Sequence, residues 1–340
     1  MKIFYSEEHR RHSPTFEVFD GGLRTPYLEN IDRMDRIMAA LKQVDWTEFR
    51  EPQDFGLDPI YAVHDKDYID FLASCWTDWL ATKPKDPSTL LPATFALRRH
   101  PQKPTGLLGR AGYYIMDLSA CIVEGTYAAA LASANCALNA ADAVAQGERI
   151  AFALCRPPGH HAGKDYAGGY CFINNASVAA NWLSSFGKVA LLDIDYHCGN
   201  GTQDIFYQRN DVLTISIHAD PDFEYPHYWG FADETGSGPG AGFHKNYPLQ
   251  KGTDDGRYLE TLEEALSLIR KFEPQHLVVS AGMDIYTADP LGTIKVTTTG
   301  IGEIGKHIAS LALPTVVVME GGYANDVLGK NIVGFLENWL

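Results

Sequence analysis

The sequence predicts an α/β protein whose central, mostly parallel β-sheet is covered by helices on both faces. From residue 148 onward, short β-branched or aliphatic runs alternate with longer amphipathic stretches, which is the pattern of consecutive βαβ units. The chain has 340 residues, of which 45% are hydrophobic, so it can bury a large core. No repeat, low-complexity tract or linker divides it, and we therefore expect a single domain over residues 1–340.

Periodicity predicts each element in turn. The N-terminal third contains two predicted helices, at 33–44 and 65–82, followed by a Pro-dotted stretch at 83–109 without a clear period. Long stretches of this kind in a compact domain are often functional, and we expect a protruding loop. Strands are then predicted at 150–155, 189–195, 212–218, 276–281 and 314–319, and helices at 126–146, 175–186, 257–271, 300–311 and 325–339.

Composition and charge exclude several classes of function. The formal net charge of −15 repels phosphate backbones and anionic lipids, so we expect neither nucleic acid nor a membrane as partner. The six cysteines are scattered without a close pair, and we expect them to be reduced. The N-terminal MKIFYSEEHRR lacks the apolar core of a signal peptide, and no run reaches membrane-spanning length. We therefore expect a cytoplasmic protein.

Polar residues follow each predicted strand from residue 150 onward. In an open α/β sheet, ligands bind beyond the carboxyl ends of the strands, so we expect these residues to converge on one crevice. Strand by strand they are His160 and His161; Asp193, Asp195 and His197; Ser216 and His218; Asp284; and Glu320 and Tyr323.

Two of these residues have the spacing of metal ligands. Asp195 and His197 stand two apart on a segment expected to be extended, so both side chains point to one face. Asp284 is the best-placed third ligand. Such a set fits Zn²⁺ with a position left for water, as hydrolysis requires, and Fe²⁺ also accepts it. The motif alone could equally cap a strand, but the other polar strand ends favour a metal site.

Two further motifs carry acid–base chemistry. His160 and His161 follow a stiff Pro-Pro-Gly turn, and one imidazole can take a proton from water and deliver it to a leaving amine. Adjacent histidines also occur in exposed polar loops. Tyr323 follows Gly321 and Gly322, which let the backbone approach a substrate. A phenol there can stabilise an oxyanion, although a packed turn is the commoner explanation for such a tyrosine.

Five stretches together resemble one protein family: CRPPGHH, GGYCFINN, LDIDYHCGNGTQDIFY, AGMDIYTADP and MEGGY. Their order and spacing, from about residue 150 to 325, are similar to those of the histone-deacetylase superfamily, which has the arginase–deacetylase fold. The stretches FYSEEH, PATFALRRHPQKP and YPHYWGFADETG are similar to bacterial acetylpolyamine amidohydrolases within that superfamily. The resemblance covers nearly the whole chain.

The resemblance implies two cation sites. In the family pattern, zinc is bound at the positions of Asp195, His197 and Asp284. Family members also bind a monovalent cation, usually potassium, beside the zinc strand. The positions that match this second site are Asp193, Asp195, His197 and Ser216.

The resemblance also implies catalytic roles. His161 is the general base and then the general acid, and His160 is its electrostatic partner. Tyr323 polarises the amide carbonyl and stabilises the tetrahedral oxyanion. Asp193 and Asn200 hold His160 and His161 respectively through their other ring nitrogens, and such bonds fix tautomer and orientation.

The resemblance implies that the acyl-lysine-like chain of the substrate runs through a narrow tunnel. The resemblance implies that the stretch at 83–109 pairs two subunits into a homodimer, narrowing the entrance to flexible small amines and excluding folded proteins. The substrate-binding positions that it implies are Tyr170, Tyr225, Leu291, Gly321 and Gly322.

Three positions depart from the family pattern. Cys198 stands where the family typically has a second histidine, and the alternation that aims the preceding histidine at the metal aims Cys198 away from it. Acidic residues that bind distal ammonium groups in polyamine deacetylases are replaced by Leu108 and Ser119. Asp117 and Glu124 are nearby alternatives, although exposed carboxylates are usually only solvated. A short acetyl-diamine becomes the more attractive substrate.

These observations predict zinc-dependent hydrolysis of the acetyl amide of a small cationic amine, releasing acetate and the free amine. A protein (histone-like) lysine deacetylase would share the catalytic residues and differ in tunnel access. A ureohydrolase of the same fold needs a second metal held by further aspartates, which Cys198-Gly199 does not supply. A catalytically silent domain that only binds an acylated molecule is the remaining alternative.

Overall fold

The computed structural model describes residues 1–19, 22–97 and 102–340. Their strands are β1 Lys2–Phe4, β2 Phe16–Phe19, β3 Leu23–Pro26, β4 Glu48–Arg50, β5 Ile150–Ala153, β6 Val189–Asp193, β7 Val212–Ala219, β8 His244–Leu249, β9 His276–Ala281 and β10 Thr315–Met319. Their α-helices are α1 Ile31–Leu41, α2 Asp58–Tyr61, α3 Lys66–Ala81, α4 Leu107–Tyr114, α5 Thr126–Ala145, α6 Asn175–Leu183, α7 Asn200–Phe206, α8 Asp255–Phe272, α9 Thr298–Ala309 and α10 Asn325–Leu336.

Eight strands form one sheet in the order β4-β1-β5-β10-β9-β6-β7-β8, and each pairing between them is parallel. The predicted α/β fold is therefore confirmed. Strands β2 and β3 pair antiparallel beside this sheet. The five strands β5, β10, β9, β6 and β7 are neighbours, so the polar residues that follow them meet at one edge.

The sheet is the middle of three layers. Successive residues of a strand point to opposite faces, and in β10 Val316 and Val318 pack into the core that contains α3, α5 and α6. Val317 packs instead into the core that contains α1, α8, α9 and α10. Burial on both faces explains why the central strands are continuous apolar runs.

The predicted elements match the observed ones with small differences at their ends. The strand predicted at 189–195 ends at Asp193, and residues 195–197 lie in a bend, because Asp193 and Asp195 bond the next-but-one backbone N–H and turn the chain. Strands β1, β4 and β8 are not predicted from the sequence, and neither are β2, β3, α2, α4 and α7. The first two have three residues each, and β8 is an edge strand containing Pro248.

In the described part of the stretch at 83–109, no regular element precedes α4, which begins at Leu107, apart from a bridge between Leu90 and Ile122. Residues 98–101, within the predicted loop, lie outside the described residues. Across the described ranges, none of the helices combines the length and the apolar character needed to cross a membrane.

Candidate active site

Asp195, His197 and Asp284 meet beyond the carboxyl ends of β6 and β9. Their candidate ligand atoms all lie within 4.8 Å of one another. His197 Nδ1 is 3.4 Å from Asp195 Oδ1 and 3.4 Å from Asp284 Oδ2. The bend after Asp193 keeps both β6-end residues on one side, although the segment is not extended as predicted. The Asp195 and His197 motif after β6 and Asp284 after β9 thus form one cluster.

The chemistry of this cluster fits a divalent cation. Asp284 Oδ2 is buried and has no hydrogen-bond partner, whereas Asp284 Oδ1 accepts from the Tyr196 N–H at 3.0 Å. Burial and repulsion by Asp195 raise the pKa of Asp284 to about 7. Buried carboxylates of this kind are typically paired or coordinate a metal. Two carboxylates and an imidazole form a donor set that Zn²⁺ and Fe²⁺ accept.

A second buried group, His160, Cys171 and Glu320, lies close enough to share an ion. Its carboxylate is already bonded: Glu320 Oε2 accepts from the N–H groups of Gly159 and His160, and Ser280 Oγ donates to Oε1 at 3.3 Å. The Asp195 cluster, with its free oxygen, is the better metal site.

His160 and His161 stand side by side with ring centroids 4.0 Å apart. His160 Nδ1 bonds Asp193 Oδ2 at 2.9 Å, and His161 Nδ1 bonds Asn200 Oδ1 at 2.7 Å. Asn200 begins α7 shortly after the bend at 195–197. The Nδ1 atom of each histidine therefore has a hydrogen-bond partner. Because an amide oxygen can only accept a hydrogen bond, a neutral His161 carries its proton on Nδ1.

The two imidazoles have opposite pKa shifts. Burial lowers the pKa of His160, but attraction to Asp195 and Asp193 outweighs it and raises that pKa well above its usual value. Burial, together with the positive charges of His160 and His197, lowers the pKa of His161 well below its usual value. The two neighbouring imidazoles therefore differ in their tendency to carry a proton, which is the pattern of paired groups with different acid–base roles.

Tyr323 reaches the pocket from the loop after β10. Gly321 N–H donates to Asp195 Oδ2 at 2.9 Å, and a side chain at Gly321 would collide with the carboxylate of Asp284. The Tyr323 and Ala324 N–H groups donate to Asp289 Oδ2 at 2.6 and 3.1 Å. Glycine is therefore required by the close approach, and Asp289 fixes the loop.

Arg33, whose role is not predicted from the sequence, supports the same loop through hydrogen bonds to its carbonyls. This buried guanidinium donates to the Gly322 and Glu320 carbonyls and to Glu29, each at 2.7 Å. It also lies 4.8 Å from the centroid of the Tyr323 ring. No local pattern signals this role, because Arg33 and Gly322 are 289 positions apart in the sequence.

The two histidines, Asp195, His197 and Tyr323 line one pocket, whose empty volume is about 550 Å³ when the space open to solvent is included. The substrate-binding positions suggested by the sequence, apart from Gly322, all line it. The lining residues are Phe19, Ser119, Pro158, His160, His161, Gly169, Tyr170, Asp195, His197, Glu224, Tyr225, Leu291, Gly321 and Tyr323.

Ser216 and Cys198 lie behind the metal cluster. Ser216 is the register partner of Asp193 across β6 and β7, and its Oγ lies 2.7 Å from His218 Nδ1. Cys198 is buried, its thiol interacts with Ser216, and a side chain at Gly230 would come within 3.1 Å of its sulfur. Burial raises the pKa of Cys198 well above its usual value. The thiol therefore stays protonated and outside the ligand cluster.

The four positions considered for binding a distal ammonium group lie in different places relative to the pocket. Leu108 is 51% exposed on α4, and Ser119 lines the pocket. Asp117 lies close to the pocket wall, with Tyr225 and Gly169 as hydrogen-bond donors. Glu124 is exposed before α5 and lines a different depression with Arg11. Glu124 is thus not at the candidate active site.

Comparison with known proteins agrees with this geometry. The histone deacetylase domain matches residues 27–338. The chain is 44% identical to acetylpolyamine amidohydrolase 2 of Pseudomonas aeruginosa, covering 100% of this chain and 98% of that protein. It is 42% identical to acetylpolyamine amidohydrolase of Mycoplana ramosa, over 99% of each.

Solved structures give the same result. The crystal structure of acetylpolyamine aminohydrolase from Burkholderia pseudomallei superposes with a TM-score of 0.96 at 41% identity, covering 100% of this chain and 98% of that one. The HDA15 HD domain superposes with a TM-score of 0.80 at 27% identity, over 99% and 90% of the two chains. The predicted resemblance is confirmed: the chain belongs to the histone deacetylase domain family and has its arginase–deacetylase fold.

Proposed function

We propose that this protein hydrolyses the acetyl amide of a small cationic acetylated amine, releasing acetate and the free amine. The observation that carries the proposal is the Asp195, His197 and Asp284 cluster beside the His160–His161 pair, whose pKa values are shifted in opposite directions, at one pocket. Membership of the deacetylase family supports a hydrolytic deacetylase. Relatives named acetylpolyamine amidohydrolases support an acetylated polyamine or diamine as substrate.

The cofactor that we propose is Zn²⁺, with Fe²⁺ as the alternative, held by Asp195, His197 and Asp284. Such an ion, when bound, supplies a Lewis acid that polarises a carbonyl and lowers the pKa of water. We also propose a structural K⁺ at Asp193, Asp195, His197 and Ser216, supported by the adjacency of Asp193 and Ser216 across the two strands.

His161 performs the proton transfers in this proposal. Its neutral ring is held by Asn200 at Nδ1, which leaves Nε2 free to take a proton from the attacking water. The same nitrogen then delivers that proton to the leaving amine nitrogen as the C–N bond breaks. His160, held cationic by Asp193 and Asp195, stabilises the negative charge that develops beside it.

Tyr323 stabilises the oxyanion in this proposal. Burial raises the pKa of its phenol well above the usual value, so it stays protonated and donates a hydrogen bond. The Asp289 and Arg33 contacts to its loop hold it in place before substrate binds, and preorganised donors of this kind are where much of a rate enhancement originates.

We further propose a cytoplasmic homodimer whose subunits pair through the stretch at 83–109. The cytoplasmic location is supported by the six cysteines, which are all free and buried. Exposed apolar side chains on and near that stretch support the pairing: Phe95, Leu97 and Leu108, with Tyr228 close to them.

The experiment that tests the proposed function is a comparison of kcat/KM on matched substrates. Metal-reconstituted enzyme is assayed on acetylputrescine, acetylcadaverine, acetylspermidine and an acetyl-lysine peptide. Preference for the free amines supports the proposal. Preference for the peptide would instead favour a protein lysine deacetylase, and turnover of none of the four would contradict deacetylation.

Two variants test the residue roles. Tyr323→Phe should lower kcat by ~10²–10³, as for loss of one oxyanion donor, while Tyr247→Phe, a tyrosine on the edge strand β8, should match the wild type. His161→Ala should lose activity with metal still bound, which metal analysis of the purified protein checks. Near-normal turnover by either variant would remove that residue from its role.

A further inference from the structure

Asp117 uses both carboxylate oxygens on protein donors. Its Oδ1 accepts from the Ser119 and Ala120 N–H groups at 3.0 Å each. Its Oδ2 accepts from the Gly169 N–H at 2.6 Å and the Tyr225 hydroxyl at 2.7 Å. A carboxylate with four donors is already satisfied, so Asp117 is poorly suited to bind a substrate ammonium. We call the set Asp117, Gly169 and Tyr225 the Asp117 clamp.

The first wall that the clamp holds is a strained turn. Gly169 and Tyr170 both have positive φ, at 49° and 68°, between Gly168 and Cys171, which pair antiparallel. For tyrosine this conformation costs roughly 1–2 kcal/mol and persists only where neighbours enforce it. A side chain at Gly169 would collide with the His161 ring. The Asp117 bond to Gly169 therefore fixes the wall that lies against the proposed base.

The second wall is the ring of Tyr225. Its centroid lies 4.9 Å from that of His161 and 6.0 Å from that of His197, edge to face in both cases. Tyr225 therefore stands at the depth where the amide reacts, not at the pocket mouth. Burial and the charge of Asp117 raise the pKa of its phenol well above the usual value, so the hydroxyl remains a donor to Asp117.

We propose that Asp117 is a positioning residue that fixes the width of the pocket at the depth of the reacting amide, by joining the Gly169–Tyr170 wall to Tyr225. A pocket of fixed width accepts a methylene group beside the amide nitrogen and rejects a branched carbon there. The inference rests on the proposed function and makes it more specific: the substrates are acetyl amides of unbranched primary amines.

The test compares acetylputrescine with its analogue carrying a methyl group on the carbon bonded to the amide nitrogen. The enzyme variants are Tyr225→Phe and Asp117→Asn, with Tyr247→Phe as the matched control for loss of a tyrosine hydroxyl outside the pocket. Tyr225→Phe keeps the ring and removes the bond to Asp117. We expect it to raise the branched-to-unbranched ratio of kcat/KM by about tenfold, the effect of one charge-assisted hydrogen bond, while Tyr247→Phe keeps the wild-type ratio.

A second measurement does not depend on turnover. The Gly169 N–H is buried in the clamp, so hydrogen–deuterium exchange over residues 166–174 should be slow in the wild type and faster in Asp117→Asn. If Asp117→Asn does not fold, Tyr225→Phe decides the matter alone. A Tyr225→Phe ratio within twofold of the wild type overturns the inference. If the wild type hydrolyses neither substrate, the proposed function fails, and the exchange comparison still tests the clamp.

Discussion

The charges in the cluster of Asp195, His197 and Asp284 lead to a prediction for Asp284→Asn. This variant should stabilise the metal-free protein and abolish its stabilisation by metal. Burial and the charge of Asp195 raise the pKa of Asp284 from 3.8 to about 7. An acid whose folded pKa is raised costs no stability below its unfolded pKa, and the full cost appears once the pH exceeds the folded pKa. In the metal-free protein, the ionised cluster should therefore lower the free energy of unfolding at pH 8, and this cost should be nearly absent near pH 4.

The magnitude follows from the pKa difference. A rise from 3.8 to about 7 corresponds to at most about 4 kcal/mol at pH 8, because one pKa unit is worth about 1.4 kcal/mol. Asparagine is nearly isosteric and keeps an oxygen for the Tyr196 N–H. It replaces Oδ2, which lies 3.4 Å from His197 Nδ1 and has no hydrogen-bond partner, with an uncharged amide nitrogen. Saturating metal at about 1,000 times Kd would instead stabilise the wild type by about 4 kcal/mol.

The assay is urea unfolding of chelator-treated and metal-loaded protein at pH 8 and at a mildly acidic pH. We expect metal-free Asp284→Asn to be more stable than the metal-free wild type at pH 8, by less as the pH falls, and to gain little from added zinc. Metal-free Asp284→Asn that is less stable than the wild type at pH 8 would refute the reasoning, because the cluster would then carry no electrostatic strain for a cation to relieve.

Two further predictions concern protons. Burial lowers the pKa of His197, but attraction to Asp195 and Asp284 outweighs it and raises that pKa to about 10. Metal binding at pH 8 should therefore release about one proton, and metal affinity should rise about tenfold per pH unit. Calorimetry in buffers of different ionisation enthalpy measures the proton release, and binding without it would contradict the prediction. Burial raises the pKa of Glu17 from 4.5 to about 7, which destabilises the protein increasingly as the pH rises through that interval. Glu17→Gln should therefore increase the free energy of unfolding at pH 8 by at most about 3 kcal/mol and by much less at pH 5, and an equal effect at both pH values would exclude this cause.

The parts of the fold that the sequence predicted are those with a strong local signal. Strands buried on both faces must be apolar at each position, and β6, β9 and β10 are buried throughout. Such runs stand out against amphipathic helices. The three-residue strands β1 and β4 are too short to show a period, and β8 lies at the sheet edge with alternating partial burial.

The residues of the candidate site also differ in whether a local sequence pattern reveals them. The histidine pair and the D-x-D-x-H segment are visible because their chemistry is concentrated at strand ends, which the topology brings together. The supporting roles of Asp289, Arg33 and Asp117 could not be found in this way, although Asp117 is one of the acidic positions that the sequence offered for binding an ammonium group. Each acts through backbone groups or a hydroxyl contributed by another segment, 34, 289 and 108 positions away in the examples above. Long-range bonds to main-chain atoms leave no pattern in a single sequence.

The acidic residues around the pocket bear on which amine is hydrolysed. Ser119 presents a hydroxyl to the pocket, Leu108 presents an exposed apolar side chain, and Asp117 is committed to the clamp. Glu224 lines the pocket and accepts one hydrogen bond at each oxygen, from the Tyr196 hydroxyl at 2.7 Å and from the Tyr225 N–H at 3.0 Å, which leaves acceptor capacity on both oxygens. A diamine substrate has one free ammonium group, whereas acetylspermidine has two positive charges to neutralise. Besides Asp195 of the candidate metal cluster, Glu224 is the one carboxylate among the described residues that line the pocket. This matches the first case, so the diamine-to-spermidine ratio of kcat/KM should exceed one in the substrate comparison proposed above.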